Sequence, residues 1–225
     1  DKTYYFDADK ADIRKAYEAH IVKLLQLSGV PADAAATQAK DVITLETRLA
    51  KASLSSEDLS RDVALYYNPV SLAEADELTP NFSWTEFFKS QGVAAPEMFS
   101  LAMPAFHQEV SKMLVDVPIE QWKNYLRFHA IDAAAPDLSD EFVAENFEFY
   151  SKTLHGQKEM KPRWKQVLGA INSEAGEALG QMYVDVAFPP EAKAQMEVLV
   201  GNLGTALKTR IEQLSWMSDD TRQKA

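Results

Sequence analysis

The sequence predicts an all-α fold, a multi-helix lobe with long antiparallel helices and at most one short strand. Apolar residues recur at the three-to-four-residue spacing of a helix in almost every long window, whereas alternating strand patterns are nearly absent. Helices and strands do not alternate in the order that a parallel sheet requires. Because 46% of the 225 residues are hydrophobic, a substantial core can form, and we expect one helical domain over 1–225.

Two helices are predicted at the start of the chain. Seven side chains of the first share one stripe: Ile13, Ala16, Tyr17, His20, Ile21, Leu24 and Leu25. Gly29 and Pro31 end this pattern. A second helix is predicted from Pro31 to about Ala52, with Val42, Leu45 and Leu49 among its apolar positions.

Three short helices are predicted by the S-x-x-[DE] pattern, in which a serine oxygen caps a free backbone N–H and the acid reaches back. The pairs are Ser55 with Asp58, Ser71 with Glu74, and Ser83 with Glu86. The stretches YYNPVS and LTPNFS between them are predicted to be turns, because a residue before proline avoids helical geometry. The one strand that we expect lies near residues 98–102.

The predicted helices become longer from Pro118 onward. The apolar stripe of the first contains Trp122, Tyr125, Leu126, His129 and Ala133. The next helix carries Phe142, Phe147 and Tyr150 and ends near Gly156. A third runs for about seven turns from Trp164 to Val186. Pro189 and Pro190 are predicted to separate it from a last helix, roughly Pro190 to Met217, packed antiparallel to it. We expect Trp164 to face the core and Arg163 to pair with a carboxylate.

Charge and composition exclude several classes of function. The chain has 34 acidic and 23 basic residues, a formal charge of −11, which would repel a phosphate backbone, so nucleic acid is not expected as a partner. Zero cysteines exclude disulfides and thiolate metal sites. No apolar run approaches the length of a membrane span. The first ten residues are too polar for a signal peptide, and we interpret the N-terminus, which is not Met, as processed or truncated.

None of the four histidines founds a recognisable catalytic or metal site. A zinc peptidase helix needs two histidines four residues apart, and His20, His107, His129 and His155 each lack a second histidine at that spacing. None follows a glutamate by three residues, as a di-iron bundle requires. Serine-hydrolase and phosphate-loop motifs are also missing. We expect His20 and His129 to be hydrogen-bonded at or near the core, and His107 and His155 to lie on the surface.

Clusters of aromatic and acidic residues have ordinary structural interpretations. Trp84, Phe87 and Phe88, or Trp122 and Tyr125, could line a ligand groove, but stripes at helical spacing more often form the core. The acidic pairs at 140–141 and 219–220 are predicted to begin helices, where they favour the positive end of the helix dipole.

Short segments along the entire chain carry a family resemblance. They are Tyr4–Tyr5; Leu45–Thr47 with Leu49–Ala50; Arg61–Asp62 with Tyr67–Asn68; Asn81–Phe82 with Trp84; Trp122 with Tyr125–Arg127; Asn146–Phe147; Leu154 with Gly156; Pro162–Trp164; Gly176–Tyr183; Phe188–Glu191; and Leu214 with Trp216–Met217. In this order they resemble the N-terminal half of the neprilysin-like zinc metallopeptidases, peptidase family M13, which includes bacterial PepO-type oligopeptidases. Ten of these residues are predicted to be structural signatures of the family: Arg61, Asp62, Asn68, Arg163, Trp164, Gly180, Tyr183, Pro189, Pro190 and Trp216.

The resemblance implies a helical lobe that caps a thermolysin-like catalytic lobe around a cavity for small peptides. The zinc ligands of the family lie in the other half, so we expect this chain to have no catalytic, metal or cofactor-binding residue and to be inactive alone. Its expected partners are that C-terminal catalytic lobe and small peptides. The lack of cysteine favours a bacterial member, periplasmic or secreted, with a cytoplasmic location left open.

Two alternatives remain at this stage: a stand-alone helical module that binds a peptide or protein, and a short paralogue that regulates a full-length peptidase. A lobe cut from its partner should expose an apolar face that the partner would cover. That face is the feature to look for in the structure.

Overall fold

A computed structural model describes residues 1–225, apart from the side chain of Val63, and confirms the all-α prediction. The α-helices are α1 (Thr3–Phe6), α2 (Ala11–Leu27), α3 (Ala32–Ala52), α4 (Ser56–Arg61), α5 (Leu72–Leu78), α6 (Trp84–Ser90), α7 (Pro104–Asp116), α8 (Ile119–Ala134), α9 (Asp140–Asn146), α10 (Arg163–Ala187), α11 (Pro190–Glu212) and α12 (Asp219–Lys224). Short 3-10 helices span Ala8–Lys10, Val63–Tyr66 and Ala135–Asp137, and a π-helix spans Phe147–Leu154. The strands are β1 (Pro69–Ser71) and β2 (Met98–Ser100).

The chain divides into two compact units, residues 1–160, here called the N-terminal unit, and residues 161–225, the C-terminal unit. The expectation of one domain over 1–225 stays a prediction.

Helices α2 and α3 form a hairpin whose turn follows from local sequence. Gly29 adopts a positive φ of 94°, a conformation that costs other residues energy because of their Cβ. The amide of Gly29 donates to the Gln26 carbonyl and that of Val30 to the Leu25 carbonyl, so the last turn of α2 has partners for its free carbonyls. Pro31 then precedes α3, close to the predicted boundaries.

The core of the N-terminal unit lies between α2, α3 and α8. Its buried side chains are Ile21, Leu24 and Leu25 of α2, Ala35, Ala39 and Val42 of α3, Phe128 of α8, and Ala135. The predicted stripe of α2 is therefore confirmed. In α8 the prediction was wrong at Leu126, which is 61% exposed, because the buried side of the helix is centred on Asn124 and Phe128, one helical turn apart.

All three predicted serine caps are confirmed. The Ser55 hydroxyl accepts from the Asp58 amide and the Ser83 hydroxyl from the Glu86 amide. Ser71 forms a complete capping box, in which the Glu74 carboxylate also accepts from the Ser71 amide at 2.7 Å. These helix starts rely only on residues within one turn, which is why the sequence pattern suffices.

A small antiparallel sheet joins two distant segments. Strand β2 lies where a strand was expected, but it pairs with β1, Val70 opposite Phe99, inside the YYNPVS stretch that was predicted to be a turn. The sheet thus has two short strands instead of one. Its second strand depends on a partner about thirty residues along the chain, which local patterns do not reveal.

The helix predicted to end near Gly156 changes type before it does so. After α9 the chain continues as a π-helix, and the Thr153 hydroxyl donates to the carbonyl of Glu148, five residues earlier. Gly156 ends it with a φ of 69°. In a π-helix side chains five residues apart share a face, so Phe149 and Leu154 point in a similar direction.

The C-terminal unit consists of α10, α11 and α12. Proline does separate α10 from α11 as predicted: α10 ends at Ala187 and α11 begins with Pro190 in its first turn. Helix α10 is kinked at Ala175, whose φ of −134° is not helical. The last long helix ends at Glu212, earlier than predicted, and the acidic pair at 219–220 begins α12.

The expected packing of α10 along α11 is not found. The two helices do not contact each other along their length, and neither contains a buried residue. Trp164 is 63% exposed, so the prediction that it faces a core was wrong. Arg163 has no ion pair within the part of the chain that the structure describes. The apolar side chains of both helices are exposed to solvent instead, because nothing within the C-terminal unit covers them. None of the described helices combines the length and the apolarity needed to cross a bilayer.

Candidate functional site

A buried carboxylate lies at the centre of the N-terminal unit. Glu46 of α3 is only 7% exposed and accepts hydrogen bonds from three side chains. The Tyr17 hydroxyl donates at 2.9 Å, the Tyr5 hydroxyl at 3.0 Å, and His129 Nε2 lies at 2.8 Å. These donors come from α2, α1 and α8, so one carboxylate connects four helices. A buried charge is tolerated when it is saturated in this way.

A second polar cluster surrounds His20 of α2. Its ring is 1% exposed, with Nε2 3.0 Å from Asp132 and Nδ1 3.0 Å from Glu145. The Tyr150 hydroxyl donates to the other oxygen of Asp132 at 2.6 Å. The ring of Phe149 stacks on the imidazole with centroids 4.6 Å apart. His20 is thus a hydrogen-bonded core residue, as the sequence analysis expects.

The tyrosines of both clusters are held in the neutral, donating form. Burial, together with the Glu46 carboxylate, raises the pKa of Tyr5 and Tyr17 far above the ordinary value. Burial and the bond to Asp132 raise the pKa of Tyr150 in the same sense. The hydroxyls therefore serve as permanent donors that tie helices together, and the arrangement provides no activated nucleophile.

The other two histidines differ from each other in position. His155 is exposed, as predicted, but His107 is half-buried and its ring packs edge-on against Trp84 at 5.4 Å. Burial lowers the pKa of His107. Trp84 in turn packs against Phe99 in a small aromatic cluster beside the sheet, in agreement with the core interpretation of Trp84. Within the described residues, no three His, Asp or Glu side chains are grouped so that they could hold a metal ion.

Tyr5 belongs to the lining of two cavities. One, of about 280 Å³, is walled mainly by aromatic rings, among them Tyr5, Tyr17, Phe149 and Tyr150. The other, of about 400 Å³, reaches Glu46 and His129 and includes Met103, a residue with the unusual φ of 54°.

The signature residues of the N-terminal unit hold local structure. Arg61 forms an exposed ion pair with Glu57 one turn earlier in α4. The Asp62 carboxylate caps the following 3-10 helix by accepting from the Ala64 amide at 2.9 Å. Asn68 precedes β1, and its backbone N–H donates to the Ser100 hydroxyl at 3.0 Å.

The signature residues of the C-terminal unit lie on exposed helices. Trp164, Gly180 and Tyr183 line an open groove along the kinked helix α10. Pro189 and Pro190 occupy the break before α11. Trp216, after α11, is 76% exposed.

The C-terminal unit is unusually apolar at its surface. Fifteen of its large apolar side chains are exposed, against thirteen in the N-terminal unit, which is more than twice as long. Those on α11 include Val198, Val200 and Leu203, each more than 60% exposed. Exposed apolar surface of the kind that the sequence predicts is therefore present on α10 and α11, and whether it forms a single face stays a prediction. We call the exposed apolar side chains of α10 and α11 the open face.

Sequence reasoning did not single out the buried Glu46, or the half-buried Asp132 and Glu145, as members of polar clusters. An acidic residue on a helix ordinarily indicates a solvated side, and only the apolar neighbours of Glu46 on α3, Leu45 and Ala50, hint otherwise. The partners of these acids are up to 125 residues away in sequence.

Comparison with known proteins gives consistent matches along the whole chain. The family model described as peptidase family M13 matches residues 1–225. Endothelin-converting enzyme-like 1 of Rattus norvegicus is 30% identical over 100% of this chain and 29% of its own length, and neutral endopeptidase of Lactobacillus helveticus is 27% identical over 100% and 34%.

Solved structures agree with this. A cryo-EM structure of zinc metalloprotease Zmp1 of Mycobacterium tuberculosis in its open state superposes with a TM-score of 0.81 at 33% identity, over 99% of this chain and 35% of that one. PepO of Lactobacillus rhamnosis, at 22% identity and a TM-score of 0.80, shares the fold over 100% of this chain and 36% of its own. The chain therefore spans about a third of the relatives that it matches. Over all of residues 1–225, it belongs to peptidase family M13.

Proposed function

We propose that this chain is the non-catalytic, substrate-gating lobe of a zinc metalloendopeptidase that cleaves small peptides, and that it functions joined to a C-terminal catalytic lobe. The observation that carries the proposal is the open face of the C-terminal unit. A partner that covers this face would complete the unit, and relatives three times as long leave room for such a partner.

The C-terminal unit needs a partner for a physical reason. Isolated helices are marginal in water, and most helical stability in proteins comes from packing an apolar side. Helices α10 and α11 contain 25 and 23 residues, yet none is buried. Apolar patches of this extent on a soluble protein ordinarily mark an interaction surface.

The charge distribution indicates what kind of surface would fit. The C-terminal unit carries eight basic and eight acidic residues, so the formal charge of −11 belongs to the N-terminal unit. A C-terminal unit without net formal charge, whose two long helices expose apolar side chains, suits an apolar partner surface, such as one lobe of a protein presents to another, better than a charged polymer.

Catalysis in this proposal belongs to the partner lobe. Hydrolysis by zinc requires three protein ligands, an open position for water and a base. Of the four histidines, His20 and His129 are hydrogen-bonded to carboxylates. His107 packs against Trp84, and His155 is exposed. Relatives are named as a zinc metalloprotease and as endopeptidases, which supports a peptide substrate for the joined protein.

We also propose a bacterial protein that acts in the periplasm or outside the cell. The lack of cysteine and the match to bacterial relatives at 27% and 33% identity support a bacterial origin.

A reconstitution experiment tests the proposed function. The purified chain is mixed with the separately produced catalytic lobe from the same gene, and cleavage of a short quenched-fluorescence peptide is compared with cleavage of casein. We expect chelator-sensitive cleavage of the peptide, and slower cleavage of casein than by the catalytic lobe alone, because the gate excludes large substrates. The chain by itself should cleave neither.

Variants of the open face test whether it is the surface that contacts the catalytic lobe. Val200→Glu and Leu203→Glu add charge to positions that are each 62% exposed, so folding of the chain should be little affected while assembly is lost. Val115→Glu, at an equally apolar position that is 71% exposed in the N-terminal unit, is the matched control. Equal assembly by all three variants would contradict the proposal. A reading frame that stops after Ala225 would favour the stand-alone binding module.

A further inference from the structure

The smaller cavity beside Tyr5 has walls suited to an aromatic ring. The hydroxyls of Tyr5 and Tyr17 donate to Glu46, and that of Tyr150 donates to Asp132. The hydroxyl hydrogens of these three side chains are therefore already in hydrogen bonds, and their rings remain to contact a ligand. The lining is accordingly more apolar than polar. With a volume of about 280 Å³, the cavity exceeds the roughly 150 Å³ that suffices for benzene, so a one- or two-ring group fits.

The π-helix builds one wall of this cavity. Phe149 and Leu154 are five residues apart and share a face only because the segment Phe147–Leu154 is a π-helix. Such segments are rare, and they occur frequently at functional sites, since they place side chains that an α-helix would separate. The wall is thus a product of unusual backbone geometry.

Arg14 of α2 supplies a positive charge to the lining. Its Nη1 donates to the carbonyls of Tyr4 and Asp7, at 3.0 and 2.8 Å, which fixes the side chain. Among the described residues, its Nε and Nη2 have no hydrogen-bond partner, and no carboxylate lies within 4.0 Å of it. The planar guanidinium group, with donors to spare, is the group that binds a carboxylate best.

The other charged groups near the cavity are already engaged. The Asp1 carboxylate, also in the lining, accepts from the amides of Thr3 and Ser56, both at 2.9 Å. Glu46 and Asp132 lie behind the tyrosine rings and are bonded to their hydroxyls. Arg14 is therefore the positively charged side chain with free donors in the lining of this cavity.

We propose that this cavity binds an aromatic ring that carries a carboxylate, with the ring between Tyr5, Tyr17 and Phe149 and the carboxylate on Arg14. Both a free aromatic acid and the C-terminal residue of a peptide have this chemistry. The proposal does not depend on a catalytic lobe, because every residue involved lies in the N-terminal unit.

Three small probes test the two halves of the ligand separately. N-acetyl-tryptophan has ring and carboxylate, N-acetyl-tryptophanamide has the ring alone, and N-acetyl-alanine has the carboxylate alone. Calorimetry on the 225-residue chain should give N-acetyl-tryptophan a dissociation constant on the order of 0.1–1 mM, as expected for about eighteen non-hydrogen atoms. The other two probes should bind at least about tenfold more weakly, since each lacks one of the two contacts.

Substitutions locate the binding. Arg14→Lys keeps the positive charge but removes the planar guanidinium group that can donate two parallel hydrogen bonds to a carboxylate. It should weaken the binding of N-acetyl-tryptophan about fivefold and leave the binding of N-acetyl-tryptophanamide unchanged. Lys15→Gln, at an exposed neighbour, removes a charge outside the cavity and should change affinity less than twofold. Leu154→Glu places a negative charge in the wall and should abolish binding, whereas Leu138→Glu, at an exposed leucine, should not.

The outcomes divide clearly. Equal affinity for the acid and the amide, no binding of either, or binding that survives Leu154→Glu in a folded variant would overturn the proposal. If the variants fail to fold, the probe comparison on the unmodified chain still decides it. A tetra-alanyl-tryptophan peptide distinguishes the sources: tighter binding than N-acetyl-tryptophan assigns the site to a peptide C-terminus, and equal binding assigns it to the free acid. A negative result in these binding experiments would not change the result expected from reconstitution with a catalytic lobe, so the two proposals can fail separately.

Discussion

Replacement of Glu46 by glutamine tests whether the buried carboxylate holds the N-terminal unit together. The substitution keeps the size and one acceptor oxygen but removes the charge that Tyr5, Tyr17 and His129 share. Hydrogen bonds to charged groups contribute about 1.5–3 kcal/mol and neutral ones about 1 kcal/mol. Each of the three bonds should therefore lose about 1 kcal/mol, and Glu46→Gln should lower the free energy of unfolding by about 3 kcal/mol.

Urea unfolding, followed by near-ultraviolet circular dichroism, measures this change. For an m-value of about 3 kcal/mol/M, the midpoint should fall by roughly 1 M at unchanged slope. Glu77→Gln, at an exposed glutamate on α5, is the control and should stay within about 0.5 kcal/mol. A loss below 0.5 kcal/mol for Glu46→Gln, or an equal loss for Glu77→Gln, would refute the reasoning.

A double-mutant cycle separates the pair from the network. Tyr17→Phe removes one donor and should cost about 2 kcal/mol in the unmodified chain. In the Glu46→Gln background the same change should cost clearly less, because the charge that strengthened the bond is gone. Costs that simply add would mean that the two side chains act independently.

Three further predictions concern other parts of the structure. The pKa of Tyr5, Tyr17 and Tyr150 is raised in the folded chain, so their contribution to stability is complete below pH 10. That contribution is lost as pH rises above 10, by about 1.4 kcal/mol per pH unit for each tyrosine. Thermal unfolding from pH 8 to 11 measures the loss, and Phe at all three positions should flatten the curve of stability against pH. Amide hydrogen exchange should be faster in the C-terminal unit than in the core helices of the N-terminal unit, since no residue of α10 or α11 is buried; equal protection would contradict this. Ser71→Ala removes a capping box and should cost about 1 kcal/mol in thermal unfolding, whereas Ser56→Ala, at an exposed serine, should cost much less.

Local features were predictable from the sequence because their causes lie within one or two helical turns. The serine caps at Ser55, Ser71 and Ser83 need only a hydroxyl and an amide three residues later. The α2–α3 hairpin needs a glycine that tolerates positive φ and a proline that suits a helix start. The all-α class and the break at Pro189–Pro190 follow from the same kind of short-range rule.

The packing of individual side chains was predicted less well. In α8 the choice between Leu126 and Phe128 depends on which neighbours the helix meets, and the edge-on contact between Phe128 and Tyr17, with centroids 5.9 Å apart, belongs to two helices far apart in sequence. Trp164 was placed in a core by its apolar spacing. Spacing identifies the apolar side of a helix, but it does not say whether the chain itself supplies the surface that covers it.

By itself, the sequence determined the helices, their caps and breaks, and an apolar C-terminal segment, because these depend on backbone geometry and on the nearest few residues. Only the tertiary structure decided that Glu46 is buried, which carboxylates bind His20, that β1 pairs with β2, and that α10 and α11 lack a core. Each of these depends on groups brought together from distant positions. A carboxylate such as Glu46 can be buried only where donors from other helices meet it. An apolar stripe stays exposed, as on α10 and α11, where no other surface of the chain covers it.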